Sequence, residues 1–396
     1  MESDRGRAAT VEFDHVSKVY GPTPAKAGRA ASPGAVNDLS LAIPAGKICV
    51  LVGPSGCGKT TSLKMVNRLI EPTSGRILLG GVDAASREVT DLRRGIGYVI
   101  QQTGLFPHQT IIDNVGTVPR LLGWPAARIK ERSEELLGLV GLDSARYAGR
   151  FPSQLSGGER QRVGVARALA ADPPIMLMDE PFGAVDPIVR ERLQDEFLRL
   201  QAELAKTILF VTHDIDEAIK MGDLVAVFQQ GGRVAQFGTP TELLASPASD
   251  FVARFVGADR GLKRLSLSRV RDLELQPATI GRVGEPAAAA SVRAAADPFP
   301  YLLLVDAQDR PVGWLRDVQI LGNGVLTEEM AIPMSPLLSG ETTLKDGLSM
   351  MLDADVHTGI VVDREGRLRG LVTTDMIGGF LRDEAIVAAT GGRGQA

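Results

Sequence analysis

The apolar positions of the chain fall into two patterns. Short unbroken runs occur at Ile48–Val52, Ile96–Ile100, Ile175–Met178 and Ile208–Thr212. They lack the alternation of a strand with one wet face and read as strands of a parallel sheet covered on both sides. The other pattern is helical spacing. Leu63, Val66, Leu69 and Ile70 share one face after the first run, as the 3.6-residue period requires. The segment 113–154 has the same spacing, interrupted at Pro119, Pro125 and Pro152, and predicts a helical subdomain over about 102–160. Strand runs followed by helical stretches predict an α/β fold. The stretch Gly21–Ala35, rich in Pro, Ala and Gly, reads as a surface loop.

After Gly257 the texture changes. Residues 258–272 are basic and polar and read as a linker. A repeat then appears. YLLLVDAQDRPVGWLRDVQI at 301–320 matches TGIVVDREGRLRGLVTTDMI at 358–377, with Asp306 opposite Asp363 and Gly313 opposite Gly370, an offset of 57 in both cases. Each copy predicts strand, turn, strand, helix. The pair occupies 273–386, and a flexible tail is expected over 387–396.

The loops after the runs carry the chemistry. Gly53-Pro54-Ser55-Gly56-Cys57-Gly58-Lys59-Thr60, followed by Thr61, matches G-x-x-x-x-G-K-[ST] between a strand run and a helical pattern. Its glycines let backbone N–H groups approach phosphates, Lys59 neutralises β/γ charge, and Thr60 offers a hydroxyl to Mg²⁺. Asp179 ends another run, where a carboxylate beside a phosphate loop holds Mg²⁺, and Glu180 can act as general base on a water. His213 ends a third run and is placed to touch a γ-phosphate. Gln101 or Gln102 can bond the metal or the water, and position favours Gln101. LSGGERQRV, Leu155–Val163, has the small residues and serine of a helix start that holds an anion.

Composition narrows the classes. Length suits two or three domains. Lys plus Arg is 44 and Asp plus Glu is 48, a formal net charge of −4, which gives no basic footprint for nucleic acid. Two cysteines, Cys49 and Cys57, are too few for a disulfide framework and suit a reducing compartment. The start MESDRGRAATVEFDH has no signal-peptide core. No run is long enough to span a bilayer, so a membrane function requires another chain as channel.

Together these motifs resemble the ATP-binding subunit of an ABC transporter, over roughly residues 10–257 within a domain 1–257. The resemblance implies a P-loop NTPase fold with a helical subdomain. It implies Walker A at Gly53–Thr60, the Q-loop at Gln101, the signature at Leu155–Gln161, Walker B at Ile175–Asp179 with Glu180, the D-loop at Ala184–Asp186 and the switch histidine at His213. Tyr20 is implied to stack on adenine. In this family the signature of one subunit faces the Walker A of another, so Ser156, Gly157, Gly158 and Asp186 would meet the nucleotide of a second copy. The cofactors implied are ATP and Mg²⁺. The partners implied are a second copy, a permease and, indirectly, an extracytoplasmic substrate-binding protein, with the chain peripheral on the cytoplasmic side of the cell membrane. KMVNRLIEPTSG and IGYVIQQTGLFPH resemble the quaternary-amine branch, which imports glycine betaine, carnitine, choline or proline. Val185 stands where that family usually has leucine. A different substrate class, or a soluble non-transport ABC ATPase, is the alternative; one cassette and no long heptad run weigh against the latter.

The repeat resembles a tandem CBS pair, an α/β regulatory module that often binds adenine nucleotides. The nucleotide-binding form closes on a threonine, two residues and an aspartate. The second copy has Thr373-Thr374-Asp375, one residue short, and the first has Arg316-Asp317 without a threonine. A nucleotide site and a ligand-free dimerising platform both stand as readings.

Overall fold

The computed structural model describes residues 8–20, 34–100, 104–183, 185–295, 301–316, 324–332 and 334–391. The chain divides into two compact units, residues 1–243 with 247–256, and residues 244–246 with 257–396.

The first unit holds strands β1 (Val11–Lys18), β2 (Val36–Ile43), β3 (Ile48–Val52), β4 (Ser74–Leu79), β5 (Val82–Asp83), β6 (Ile96–Val99), β7 (Ile175–Asp179), β8 (Thr207–Thr212), β9 (Leu224–Gln229) and β10 (Arg233–Gly238). They form an antiparallel sheet in the order β2-β1-β4-β5 and a second sheet in the order β10-β9-β3-β8-β7-β6. In the second sheet β9, β3, β8, β7 and β6 run parallel and β10 closes one edge antiparallel. Every residue of β3, β7 and β8 is buried, which is why they read as unbroken apolar runs. Val52 lies opposite Thr212, and Asp179 opposite Val211. The loops leaving β3, β7 and β8 therefore emerge side by side at the carboxyl edge, where open α/β sheets place their sites.

Several boundaries differ from the sequence reading. The helix after β3 spans only Lys59–Val66. Arg68 takes φ 47°, which ends the helix and leaves Leu69 48% exposed instead of on its buried face. β6 ends at Val99 instead of Ile100, and β7 includes Asp179. In the helical region the elements are Ile111–Val115, Thr117–Leu121, Ala126–Leu139, Ser144–Tyr147 and Gly157–Leu169. Pro119 is not a break. It sits in the first turn of Thr117–Leu121, where a missing N–H removes no intrahelical bond. Pro125 precedes the longest of these helices and Pro152 opens a 3₁₀ turn. Gly97 lets the helix Gly157–Leu169 approach β6: a Cβ there would lie 2.6 Å from the Ala168 carbonyl oxygen.

The second unit is a duplication. Its strands are β11 (Ile280–Arg282), β12 (Tyr301–Val305), β13 (Pro311–Arg316), β14 (Leu337–Ser339), β15 (Thr358–Val362) and β16 (Leu368–Thr373). They form sheets β11-β12-β13 and β14-β15-β16, each with one parallel and one antiparallel pairing. The starts of the strands, and of the helices Ala287–Ala295 and Leu344–Asp353, fall at 280 and 337, 287 and 344, 301 and 358, 311 and 368. Each pair is separated by the 57 residues read from the sequence, although β11, β14 and these two helices were not anticipated. The turns match too. Asp306 accepts from the backbone N–H groups of Gln308 and Arg310, and Asp363 from those of Glu365 and Arg367. These backbone hydrogen bonds hold both carboxyls below the usual range.

Residues 258–272 are not a bare linker. They form the helix Arg260–Leu267 and the 3₁₀ turn Val270–Asp272. Leu265 and Val270 are buried with Leu338, Leu344, Met351 and Val361 of the second copy. Of the basic residues that made the stretch look solvated, Arg264 is buried and donates to Leu381 O at 3.3 Å, while Arg269 and Arg271 pair with Glu341. The expected tail over 387–396 is helical to Gly391, within Thr374–Gly391; 392–396 lie outside the described residues. Among the described residues no helix is long and apolar enough to cross a membrane.

Candidate functional site

The loop after β3 is shaped around its backbone. Gly58 has φ 104°, and a Cβ on it would lie 2.2 Å from the Ala35 carbonyl oxygen, so no other residue fits without displacement. Gly58 is the N-cap of the helix Lys59–Val66 and supplies no side-chain cap. The first N–H groups of that helix therefore lack a side-chain acceptor, which is what an anion-binding helix start requires. Pro54 is half-buried, Ser55 and Gly56 are exposed, and Thr61 is half-buried behind them. Cys57 is fully buried; burial pushes its thiol up, opposed by the Lys59 ammonium. Lys59 is only 6% exposed. Its Nζ donates to the carbonyls of Gly53 at 2.7 Å and Pro54 at 3.0 Å, so the lysine closes the loop on itself.

β7 brings Asp179 to this loop. Thr60 Oγ1 donates to Asp179 Oδ1 at 3.0 Å. Burial pushes the Asp179 carboxyl up, with the Thr60 hydrogen bond opposing. On the neighbouring strand burial, and secondarily the Asp179 charge, pushes the Tyr98 phenol up to about 12. A desolvated carboxylate next to a hydroxyl oxygen is a hard donor pair that a bound cation would relieve. Two protein oxygens suit Mg²⁺, which keeps several waters and takes further oxygens from phosphates. Gln101 and Gln102 lie outside the described residues.

Glu180 follows in the left-handed region, at φ 46°, a conformation that costs a non-glycine residue about 1–3 kcal/mol and clusters at functional sites. Its backbone N–H donates to Val211 O of β8 at 2.9 Å, which fixes the turn. Its Oε1 lies 3.1 Å from His213 Nδ1. The sequence reading placed both residues at the carboxyl edge but did not foresee that they touch.

The Leu155–Val163 stretch is a capped helix start. Ser156 Oγ accepts from Glu159 N, and Glu159 Oε2 accepts from Ser156 N at 2.7 Å, a reciprocal capping box. Tyr147 Oη donates to Glu159 Oε1 at 2.6 Å. These hydrogen bonds, Tyr147 first, hold the Glu159 carboxyl at about 2. Ser156 and Gly157 are exposed and Gly158 is half-buried, so the helix start faces outward. Sequence reasoning missed Tyr147 and Glu159; the serine followed three residues later by glutamate was the available signal.

Tyr20 is 54% exposed, with Lys18 Nζ 5.3 Å from its ring centroid. Of the expected D-loop, Ala184 lies outside the described residues, Val185 is buried and Asp186 is exposed. Asp186 O accepts from Arg190 N at 2.8 Å, at the start of the helix Pro187–Leu204.

A family description, ABC transporter, matches residues 36–183. The chain is 46% identical to the osmoprotectant import ATP-binding protein OsmV of Salmonella typhimurium, over 88% of this chain and 91% of that protein. It is 43% identical to the choline transport ATP-binding protein OpuBA of Bacillus subtilis, over 91% of this chain and 93% of that protein. Among solved structures, a dimeric bacterial ABC transporter cassette is 33% identical with a TM-score of 0.51, covering 58% of this chain and 98% of that one.

Proposed function

Because the chain belongs to the ABC transporter family as an ATP-binding subunit, we propose that it hydrolyses ATP to energise import of a quaternary-amine osmoprotectant through a partner permease. The substrate class is that of glycine betaine, carnitine, choline or proline. The observation that carries this reading is the extent of likeness to the osmoprotectant and choline proteins: 88% and 91% of the chain, well past the cassette and through most of the duplicated unit.

The site performs the chemistry as follows. The phosphates of ATP lie on the uncapped N–H groups at the start of the helix Lys59–Val66. Lys59 turns from the carbonyls of Gly53 and Pro54 to the β- and γ-oxygens, and Tyr20 stacks on adenine. Thr60 and Asp179, with Gln101, would hold Mg²⁺, which supplies charge neutralisation on the phosphates. Glu180 takes the proton from the attacking water. His213, already in contact with Glu180, orients that carboxylate and reaches toward the γ-phosphate.

Ser156, Gly157, Gly158 and Asp186 serve the nucleotide of a second copy, and the dimeric form of the 33% identical cassette supports that arrangement. Closure then requires the terminal phosphate, so hydrolysis reopens the pair. The stretch Gln101–His108, in which Phe106 is 40% exposed, would receive a helix of the permease in a helix-in-groove contact. The chain would sit on the cytoplasmic face of the membrane, with the extracytoplasmic binding protein reached through the permease. The duplicated unit is read as a CBS pair that regulates transport, with adenine nucleotide as its candidate ligand.

The test is Glu180→Gln. Turnover should fall about 10²–10⁴-fold, the weight of a general base, and ATP should trap a dimer in size-exclusion chromatography. Undiminished hydrolysis by a strict monomer overturns the mechanism. If turnover is normal but no labelled quaternary amine enters cells expressing the chain with its permease, only the substrate class is overturned.

A further inference from the structure

The proposed base and its histidine sit on loops, and what fixes His213 lies behind the site. Glu217, on the helix Ile215–Met221, is 8% exposed, and Gln194, on the helix Pro187–Leu204, is 6% exposed. Gln194 Nε2 donates to Glu217 Oε1 at 3.1 Å. The Glu217 backbone N–H donates to Oδ1 of Asp214, the residue after His213, at 3.2 Å. Thr212 Oγ1 in turn accepts from Asp214 N at 3.1 Å. Glu217 thus joins the turn after β8 to the helix that begins directly after Asp186. Two outer contacts follow the same seam: Arg190 with Asp214 at 4.0 Å, and Lys220 with Asp195 at 2.8 Å. Arg190 Nη2 also donates to Val185 O at 3.0 Å, so the seam reaches the loop before that helix.

We propose that Glu217 and Gln194 are positioning residues that lock the Val185–Asp186 loop and the His213 turn into one body, so that seating of that loop against a second subunit is transmitted to the His213–Glu180 contact. The inference rests on the roles given above to His213, Glu180 and Asp186. The pair touches no substrate. A buried hydrogen-bonded pair of this kind transmits displacement because neither partner can move without leaving the other unsatisfied.

The experiment measures kcat, KM for ATP and Tm in the full chain for Gln194→Leu, Glu217→Leu, Glu217→Gln and the double leucine variant. Each single leucine variant leaves a buried polar partner orphaned. It should lower Tm and lower kcat at least about tenfold with KM within about twofold, as misplacement of a catalytic group does. Glu217→Gln keeps an acceptor for Gln194 and should recover most of the turnover lost in Glu217→Leu. The double variant decides the matter. Replacing both partners by apolar groups removes the orphan, so Tm should recover, while kcat should stay low because the link is gone. If kcat recovers together with Tm, the pair only stabilises the fold and the inference is overturned. ATP-trapped dimer in the Glu180→Gln background tests the underlying mechanism separately; its failure would remove the dimer reading and leave the kcat comparison standing.

Discussion

Tyr147 and Glu159 show how one side chain can set the start of a helix that must stay exposed. Glu159 gains two donors in the fold, and its carboxyl sits at about 2. A carboxyl whose folded value is depressed gives stability above its ordinary range and loses it as pH falls through the folded value. Tyr147→Phe removes the larger cause. Its acid-unfolding midpoint should move to higher pH, with the Tm difference from the parent present at neutral pH and vanishing toward about pH 2. Because Glu159 is only half-buried, solvent screening should keep the effect to about 1 kcal/mol. A variant with unchanged acid behaviour would show that Ser156 alone caps the helix. At this scale the sequence exposed whatever the backbone demands. Gly58, Lys59, Thr60 and Asp179 announce themselves because a phosphate loop tolerates few alternatives. Glu217 did not, because nothing local separates a buried hydrogen-bonded glutamate from a solvated one. The Glu180–His213 contact was hidden for a different reason: two loops 33 residues apart meet only once β7 and β8 pair.

Among elements, the parallel strands were the most legible, since burial on both faces leaves polar residues only at the ends of β7 and β8 and none in β3. Helix limits were less so. The helix after β3 stops at Val66 because Arg68 leaves helical geometry, and an arginine carries no stop signal. Pro119 misled in the opposite direction, because a proline in a first turn starts a helix as readily as it ends one. The loop between β3 and its helix yields a sharp expectation. Gly58→Ala places a Cβ 2.2 Å from the Ala35 carbonyl oxygen at φ 104°. The backbone strain alone costs about 1–3 kcal/mol, and relief requires the loop to leave the shape proposed to hold the phosphates. Nucleotide affinity measured by fluorescent ATP analogue titration should fall by at least about tenfold, with the Tm lowered as well. Unchanged affinity would mean that the loop reshapes at no cost and that its N–H groups do not hold the phosphates.

For the whole molecule, the 57-residue repeat made the second unit recognisable as a duplication, but the order in which the chain enters it was not readable. The helix Arg260–Leu267 and Val270 precede the first copy in sequence yet pack into the core of the second, against Leu338, Leu344, Met351, Val361, Val372 and Ile377. Five basic residues between 260 and 271 concealed the two apolar ones, Leu265 and Val270, that are buried. The arrangement is crossed elsewhere too: Gln276, ahead of the first copy, pairs with Leu371 of the second, and Ile332, ahead of the second, pairs with Trp314 of the first. Neither copy therefore holds its own lead-in segment, and half of the module is not a folding unit. In calorimetry of the full chain, Leu265→Ala should lower the transition of the second unit by the equivalent of about 2–5 kcal/mol, the usual cost of emptying a buried leucine site. It should leave the transition of the first unit in place, since distant sites add independently. A chain ended after residue 332 should do worse. It retains the first copy but strands Leu265 and Val270 without partners, and its second transition should be lost instead of halved. A truncated chain that keeps a cooperative transition for the first copy would show that the copies fold separately and that the crossed segments are dispensable.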